Sequence, residues 1–253
     1  MENKPSQAPH RSTMRTLAVL DALAHSPHGM TMAELARVLD VPKSSLFPIL
    51  HTMADLDYVA HDEGTGRYAI DFRTYLLGRA FDSEQVGLPV IEAEMRRVVA
   101  ECDETCQLGV LDHGRVLYVA KVESTQQVRL SSEIGKTLPA HCTAIGKAIL
   151  SQMSDDEVRA LLPERLEQPT PRAVSDVEQL VAELREVRET GFAHDRQEVL
   201  EGVECMAVPV RWGQSTQYGL SVSVPAYRLS DACRKRVELC LSEARDRIEH
   251  ALG

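Results

Sequence analysis

No stretch of the sequence approaches the ~18 uncharged apolar residues that a membrane span needs. The opening residues, MENKPSQAPHRSTMR, have no apolar core of the kind a secretory signal carries. No membrane role is expected, and the chain is expected to work in the cytoplasm. Disulfide spacing is also missing. The six cysteines (Cys102, Cys106, Cys142, Cys205, Cys233, Cys240) read as reduced thiols. Only Cys102 and Cys106 are close in sequence, and no second Cys/His pair follows to complete a zinc site. Positive charge is short as well. The formal net charge of −10 excludes nucleic-acid binding by bulk charge alone.

What is there describes a globular protein. Hydrophobic residues make up 43% and charged residues 26%, which excludes bulk disorder. A length of 253 residues fits one large domain or two modest ones. The charge is unevenly spread: residues 1–80 hold eight Lys/Arg against nine Asp/Glu, and the remainder holds 20 against 29. Such segregation points to two units with different partners. The nearly neutral first unit can approach nucleic acid if its cations share one face.

Residues 1–10, polar and with two prolines, read as a disordered arm. Leu17, Leu20, Leu23 and Ala24 follow helical spacing, with Ser12 or Thr13 as N-cap. Pro27–Gly29 ends that helix. Thr31 caps a second helix, with Glu34 completing a capping box and Met32, Leu35, Ala36 and Leu39 on its apolar face. After the turn at Asp40-Val41-Pro42, Leu46, Ile49, Leu50 and Met53 mark a third short helix. Tyr58–Ala60 and Arg67–Ile70 flank a Gly-rich turn and make a hairpin. Three short helices followed by a hairpin are the plan of a winged helix-turn-helix.

The connection between the units is placed in the helix-prone stretch 71–88. A helix over Ile91–Val99 leads into a hairpin, Thr105–Leu111 and Val116–Val122, turning at Asp112-His113-Gly114. Val128–Leu130 reads as a short extended run. Helices are expected over Ala144–Gln152, Asp155–Leu162, Asp176–Thr190 (capped by Ser175 and closed by Gly191) and Asp231–Ala251 (capped by Ser230). Strands are expected over Phe192–Arg196, Cys205–Arg211 and Tyr218–Val224. Hairpins mixed with helices indicate an α+β domain.

Several stretches resemble the IclR family of transcriptional regulators, over roughly residues 11–250. In the first unit they are Arg15–Leu20, Thr31–Ala36, Val41–Ser45 and Gly66–Tyr68. In the second they are Leu138–Ala148, Val187–Ala193, Gly202–Val210 and Ser221–Pro225. The resemblance implies an α+β chain with a winged helix-turn-helix DNA-binding domain over 11–72, a linker helix over 73–88, and a GAF-like effector-binding domain over 89–253. It implies double-stranded DNA, a small organic effector and a second copy of the chain as partners, in a homodimer or dimer of dimers. It implies no required cofactor and no catalysis, and leaves open repressor or activator.

The third helix can also be read from its geometry. With its apolar stripe inward, about 100° per residue puts Ser44, Phe47, Pro48 and His51 outward. Lys43, Ser44 and Ser45 bring a cation and two hydroxyls to the end where a DNA-reading helix meets its target. Many members of the family carry arginine or another polar residue where this chain has Pro48. Proline removes a backbone donor, so the helix either starts late, near Ser45, or is kinked. Phe47 and Pro48 either face DNA or pack against the first helix. Arg67 is read as a contact to phosphate or the minor groove, or as a solvated hairpin charge. Arg11 and Arg15 are candidate contacts to the DNA backbone.

In the second unit Ser221 and Ser223, two apart on a strand, share a face. By resemblance that face lines the effector site with Asp195, Cys205, Ala144, Ile145, Leu138 and Leu130. Cys205 is alternatively a small buried hydrophobe, Asp195 a surface partner of Arg196, and His141 a structural hydrogen-bonding group. Asp195, Cys205 and His141 are legitimate Zn²⁺ ligand types, but their spacing does not support a site. The same three are the side chains of a cysteine hydrolase, yet no nucleophile motif surrounds Cys205. A further rival is a ligand- or metal-binding sensor whose helix-turn-helix serves only dimerisation.

Overall fold

The computed structural model describes residues 10–84, 87–127, 133–212 and 216–252. The arm over 1–10, apart from His10, and the extended run Val128–Leu130 lie outside them. The chain divides into two compact units, residues 1–85 and 86–253.

The first unit comprises α1 (Arg11–Ala24), β1 (Met30–Thr31), α2 (Met32–Val38), α3 (Lys43–Asp55), β2 (Val59–Asp62), β3 (Arg67–Ile70) and α4 (Phe72–Glu84). The N-cap of α1 is His10, not Ser12 or Thr13. Both of those lie in the first turn, where the Thr13 hydroxyl meets His10 Nδ1 at 3.1 Å. At α2 the capping box forms: Glu34 N–H donates to Thr31 Oγ1 at 3.2 Å, and Thr31 N–H to Glu34 Oε2 at 2.8 Å. Leu46, Ile49, Leu50 and Met53 of α3 are buried with Val19, Leu23, Leu35 and Val59, which makes the small core. Helix α3 starts at Lys43 and runs through Pro48, so it does not start late. The carbonyl that Pro48 leaves without a helical donor belongs to Ser44, an exposed residue that water can reach. Strands β2 and β3 form the wing, with β1 on the other edge of β3.

The second unit comprises α5 (Gly87–Cys102), β4 (Thr105–Asp112), β5 (Arg115–Val122), β6 (Thr137–Pro139), α6 (Ala144–Leu150), α7 (Asp155–Leu161), α8 (Val177–Thr190), β7 (Ala193–Arg196), β8 (Val203–Trp212), β9 (Thr216–Pro225) and α9 (Asp231–Leu252). Of the expected linker helix over 73–88, the described residues are helical: α4 reaches Glu84 and α5 begins at Gly87, while residues 85 and 86 lie outside the described residues. The cap of α8 is Asp176, not Ser175. Its carboxylate takes two N–H bonds, from Glu178 and Gln179. Gly191, at φ +80°, closes the helix in the left-handed region that favours glycine.

The strands form one antiparallel sheet in the order β6-β5-β4-β9-β8-β7. One face buries Leu108, Val208, Leu220 and Val222 under Ile91 and Met95 of α5 and Val237 and Leu241 of α9. The other face packs against α6 and α8 through Ile145, Ile149, Leu180 and Leu184. Helix α6 comes down where Gly109 and Gly219 are paired across β4 and β9. A Cβ at Gly219 would sit 2.8 Å from Ile145 Cγ2, closer than side chains tolerate. The close landing leaves the rest of this face, beyond Gly109 and Gly219, to form a cavity.

Candidate functional site

Two sites emerge, one in each unit. In the first, the N-terminal end of α3 stands out from the core. Lys43 and Ser44 are exposed and Ser45 half-buried. Phe47 is 55% exposed although apolar, and the His51 ring meets it edge-on at 6.0 Å between centroids. His51 Nδ1 lies 2.8 Å from Asp55 Oδ2, one helical turn on. Pro48 turns toward a groove beside α1, which Arg15 also lines, while Arg11 is exposed. Arg67 is spent locally. Its Nη1 donates to Glu34 Oε2 at 2.9 Å and to the Gly29 carbonyl at 3.2 Å. It therefore ties the wing to the capping box of α2 rather than standing free for phosphate.

In the second unit a cavity of about 230 Å³ opens on the α6 face of the sheet. Four expected residues line it: Leu138, Asp195, Cys205 and Ser223. Ser221 is buried behind them. Ala144 and Ile145 lie in the α6 core against the sheet, and Leu130 is outside the described residues. Six lining residues were not foreseen: Gln107, Tyr118, Lys136, Val199, Leu200 and Val203.

The floor is a polar row set by strand register. Gln107 of β4 pairs with Ser221 of β9, and Cys205 of β8 pairs with Ser223. Both serine hydroxyls donate to Gln107 Oε1, at 3.3 Å from Ser221 and 2.9 Å from Ser223. Cys205 Sγ is 3.1 Å from the Ser223 hydroxyl. A polar residue within the otherwise apolar run Cys106–Leu111 was the available signal for Gln107.

Asp195 lies across the β7–β8 ladder from Cys205 and is 3% exposed. Burial pushes its carboxyl up to about 7, helped by the neighbouring Glu198 and opposed by the backbone bonds it accepts. Those bonds come from Glu198 N–H at 2.6 Å and Val199 N–H at 3.4 Å. They fold back the β7–β8 loop, which carries Val199 and Leu200 over the cavity. The same loop is clamped from behind by Lys147 of α6, itself buried. Its Nζ donates to Glu198 Oε2 at 2.6 Å and to Glu183 Oε2 at 2.7 Å. Burial raises the Glu198 carboxyl, and Lys147 opposes that.

His141 is buried, with Nε2 2.7 Å from the Glu167 carbonyl. It does not join Asp195 and Cys205 in a ligand set: among the described residues no group of three or more His, Cys, Asp or Glu is placed to hold a metal. Burial raises the Cys205 thiol above its ordinary value, opposite to what activates a nucleophile. Among the described residues no helix is long and apolar enough to cross a membrane.

Two family models match the chain. The helix-turn-helix domain of IclR matches residues 12–63, and the bacterial transcriptional regulator IclR C-terminal domain matches residues 88–250. The HTH-type transcriptional regulator KdgR of Escherichia coli K12 is 31% identical over 96% of this chain and 92% of its own length. The crystal structure of an IclR-type regulator from Alicyclobacillus acidocaldarius is 26% identical, with a TM-score of 0.85, over 97% of this chain and 100% of that one. An IclR homologue from Microbacterium hydrocarbonoxydans, solved with 4-hydroxybenzoate, shares the fold at 24% identity and a TM-score of 0.81, over 95% of this chain and 98% of that one. The two models together cover both units, and the chain belongs to the IclR family of DNA-binding transcriptional regulators.

Proposed function

We propose that the protein, acting in the cytoplasm, binds a specific operator through α3 and that a compact organic acid in the second unit's cavity changes its operator affinity. The observation that carries this reading is the cavity's chemistry. Its floor is the row Cys205–Ser223–Gln107, with Asp195 beside it, and its walls include Leu138, Val199, Leu200 and Val203. A few placed polar groups among apolar walls are how small-molecule sites are built. At about 230 Å³ it is below the ~300 Å³ at which drug-sized pockets begin, which favours a compact ligand. Lys136 at the rim offers an ammonium to a carboxylate. Asp195, pushed up to about 7, can take or give a hydrogen bond to a ligand hydroxyl or keto group. A compact hydroxy-acid is the ligand named for the Microbacterium protein.

The reading includes a homodimer, or a dimer of dimers, on a pseudo-palindromic operator. Its support is the apolar surface the first unit leaves open: Met14 and Leu17 on α1, and Phe72, Tyr75, Leu76 and Leu77 on α4, all about half exposed or more. The ligand must bind two states unequally, and a coupling of about 1–3 kcal/mol changes DNA affinity about 5–150-fold.

The test is a thermal-shift screen of hydroxy- and keto-acids, followed by operator titrations with the best ligand. Ser221→Ala with Ser223→Ala should abolish the ligand response and leave ligand-free DNA binding intact. A double variant that keeps wild-type ligand affinity would place the site elsewhere.

A further inference from the structure

From the exposed face of α3 we infer that the protein reads thymine in its operator through the 5-methyl group, with Phe47 as the reading side chain. The inference rests on the proposed placement of α3 in the major groove and adds which base that helix selects.

Residues 43–55, KSSLFPILHTMAD, contain no arginine, asparagine or glutamine. Together with lysine, those are the side chains that read guanine and adenine by paired hydrogen bonds. The one cation, Lys43, stands at the first position of the helix, beside the free N–H groups that suit phosphate. Base selection by α3 is therefore left to hydroxyl, imidazole and apolar contacts. The apolar residue available is Phe47. Leu46, Ile49, Leu50 and Met53 are buried, and Pro48 faces the α1 groove, whereas Phe47 is 55% exposed. It stands between two outward polar neighbours, Ser44 three residues before and His51 four residues after. The His51 ring, anchored by Asp55 at 2.8 Å, buttresses Phe47 edge-on. An aromatic ring held in this way gains by covering apolar surface. In the major groove the apolar group that distinguishes one base from the others is the thymine methyl.

The experiment uses the full chain. Operators are first selected from a randomised duplex library, and each thymine held constant in the selected sites is then replaced by deoxyuridine, which removes the methyl and leaves pairing unchanged. Wild-type protein should bind the deoxyuridine duplex about fourfold more weakly per contacted methyl, the worth of one buried methyl group. Phe47→Ala should bind the thymine and deoxyuridine duplexes equally. Phe47→Leu, still apolar, should retain part of the preference. Selected sites without a constant thymine, or a methyl effect that persists undiminished in Phe47→Ala, would overturn the inference. Failure to select any sequence would overturn the operator-binding reading itself.

Discussion

Replacing Lys147 with methionine keeps the length of the side chain and removes one charge from a site that is 1% exposed. In the wild type Nζ contacts both Glu198 oxygens, at 2.7 and 2.6 Å, and Glu183 Oε2 at 2.7 Å. The two carboxylates differ in what they can do without the lysine. The Glu183 side chain is 40% exposed and can be hydrated, whereas that of Glu198 is 5% exposed and cannot. Stranding one member of a buried ion pair costs about 3–5 kcal/mol. At about 2–4 °C per kcal/mol for a domain of this size, the melting temperature of the second unit should fall by roughly 10 °C. The sign of the pH dependence follows. Without Lys147, Glu198 holds a proton more tightly folded than unfolded, so the deficit should shrink as pH falls. Pairing Lys147→Met with Glu198→Leu removes both charges and should recover most of the loss. Calorimetry between pH 5 and 8 on the two variants provides the assay. A single variant within about 1 kcal/mol of wild type, or a double variant no better than the single, would refute the clamp.

Asp195 and the cations of the first unit give further expectations. Because burial raises the Asp195 carboxyl to about 7, its neutral form favours the folded state. That contribution is complete below about pH 4 and is lost as pH rises through about 7, so Asp195→Asn should flatten the decline in unfolding free energy across that window. Lys43→Ala should weaken binding to all DNA sequences and lower the salt slope by about one phosphate. Arg67→Ala should leave that slope unchanged and cost about 0.2–1 kcal/mol of stability, because its guanidinium is engaged with Glu34 and Gly29.

Local pattern carried the first unit well. The capping box at Thr31 and Glu34 and the buried stripe of α3 are contacts within one or two helical turns, which spacing reports directly. Helix starts were less legible. Hydrophobic periodicity locates a face, not a first turn, so His10 and Asp176 cap helices assigned to the neighbouring hydroxyl residues. The cavity was half legible. Strand alternation puts Ser221 and Ser223 on one face and resemblance to the family adds Cys205 and Asp195, but Gln107 reaches them only through pairing across more than a hundred residues. Lys147 sits in a short helix among apolar residues, and its partners are 36 and 51 residues away. Arg67 reads as a DNA contact or a solvated hairpin charge until the wing folds against α2, 33 residues earlier.

The most direct test of effector control is operator affinity, by fluorescence anisotropy, at zero and saturating concentrations of a hydroxy- or keto-acid whose binding heat is lost in the Ser221→Ala, Ser223→Ala double variant. The account predicts a change of about 5–150-fold for the wild type and none for the double variant. Unchanged operator affinity of the wild type, with calorimetry showing the cavity occupied, would contradict it.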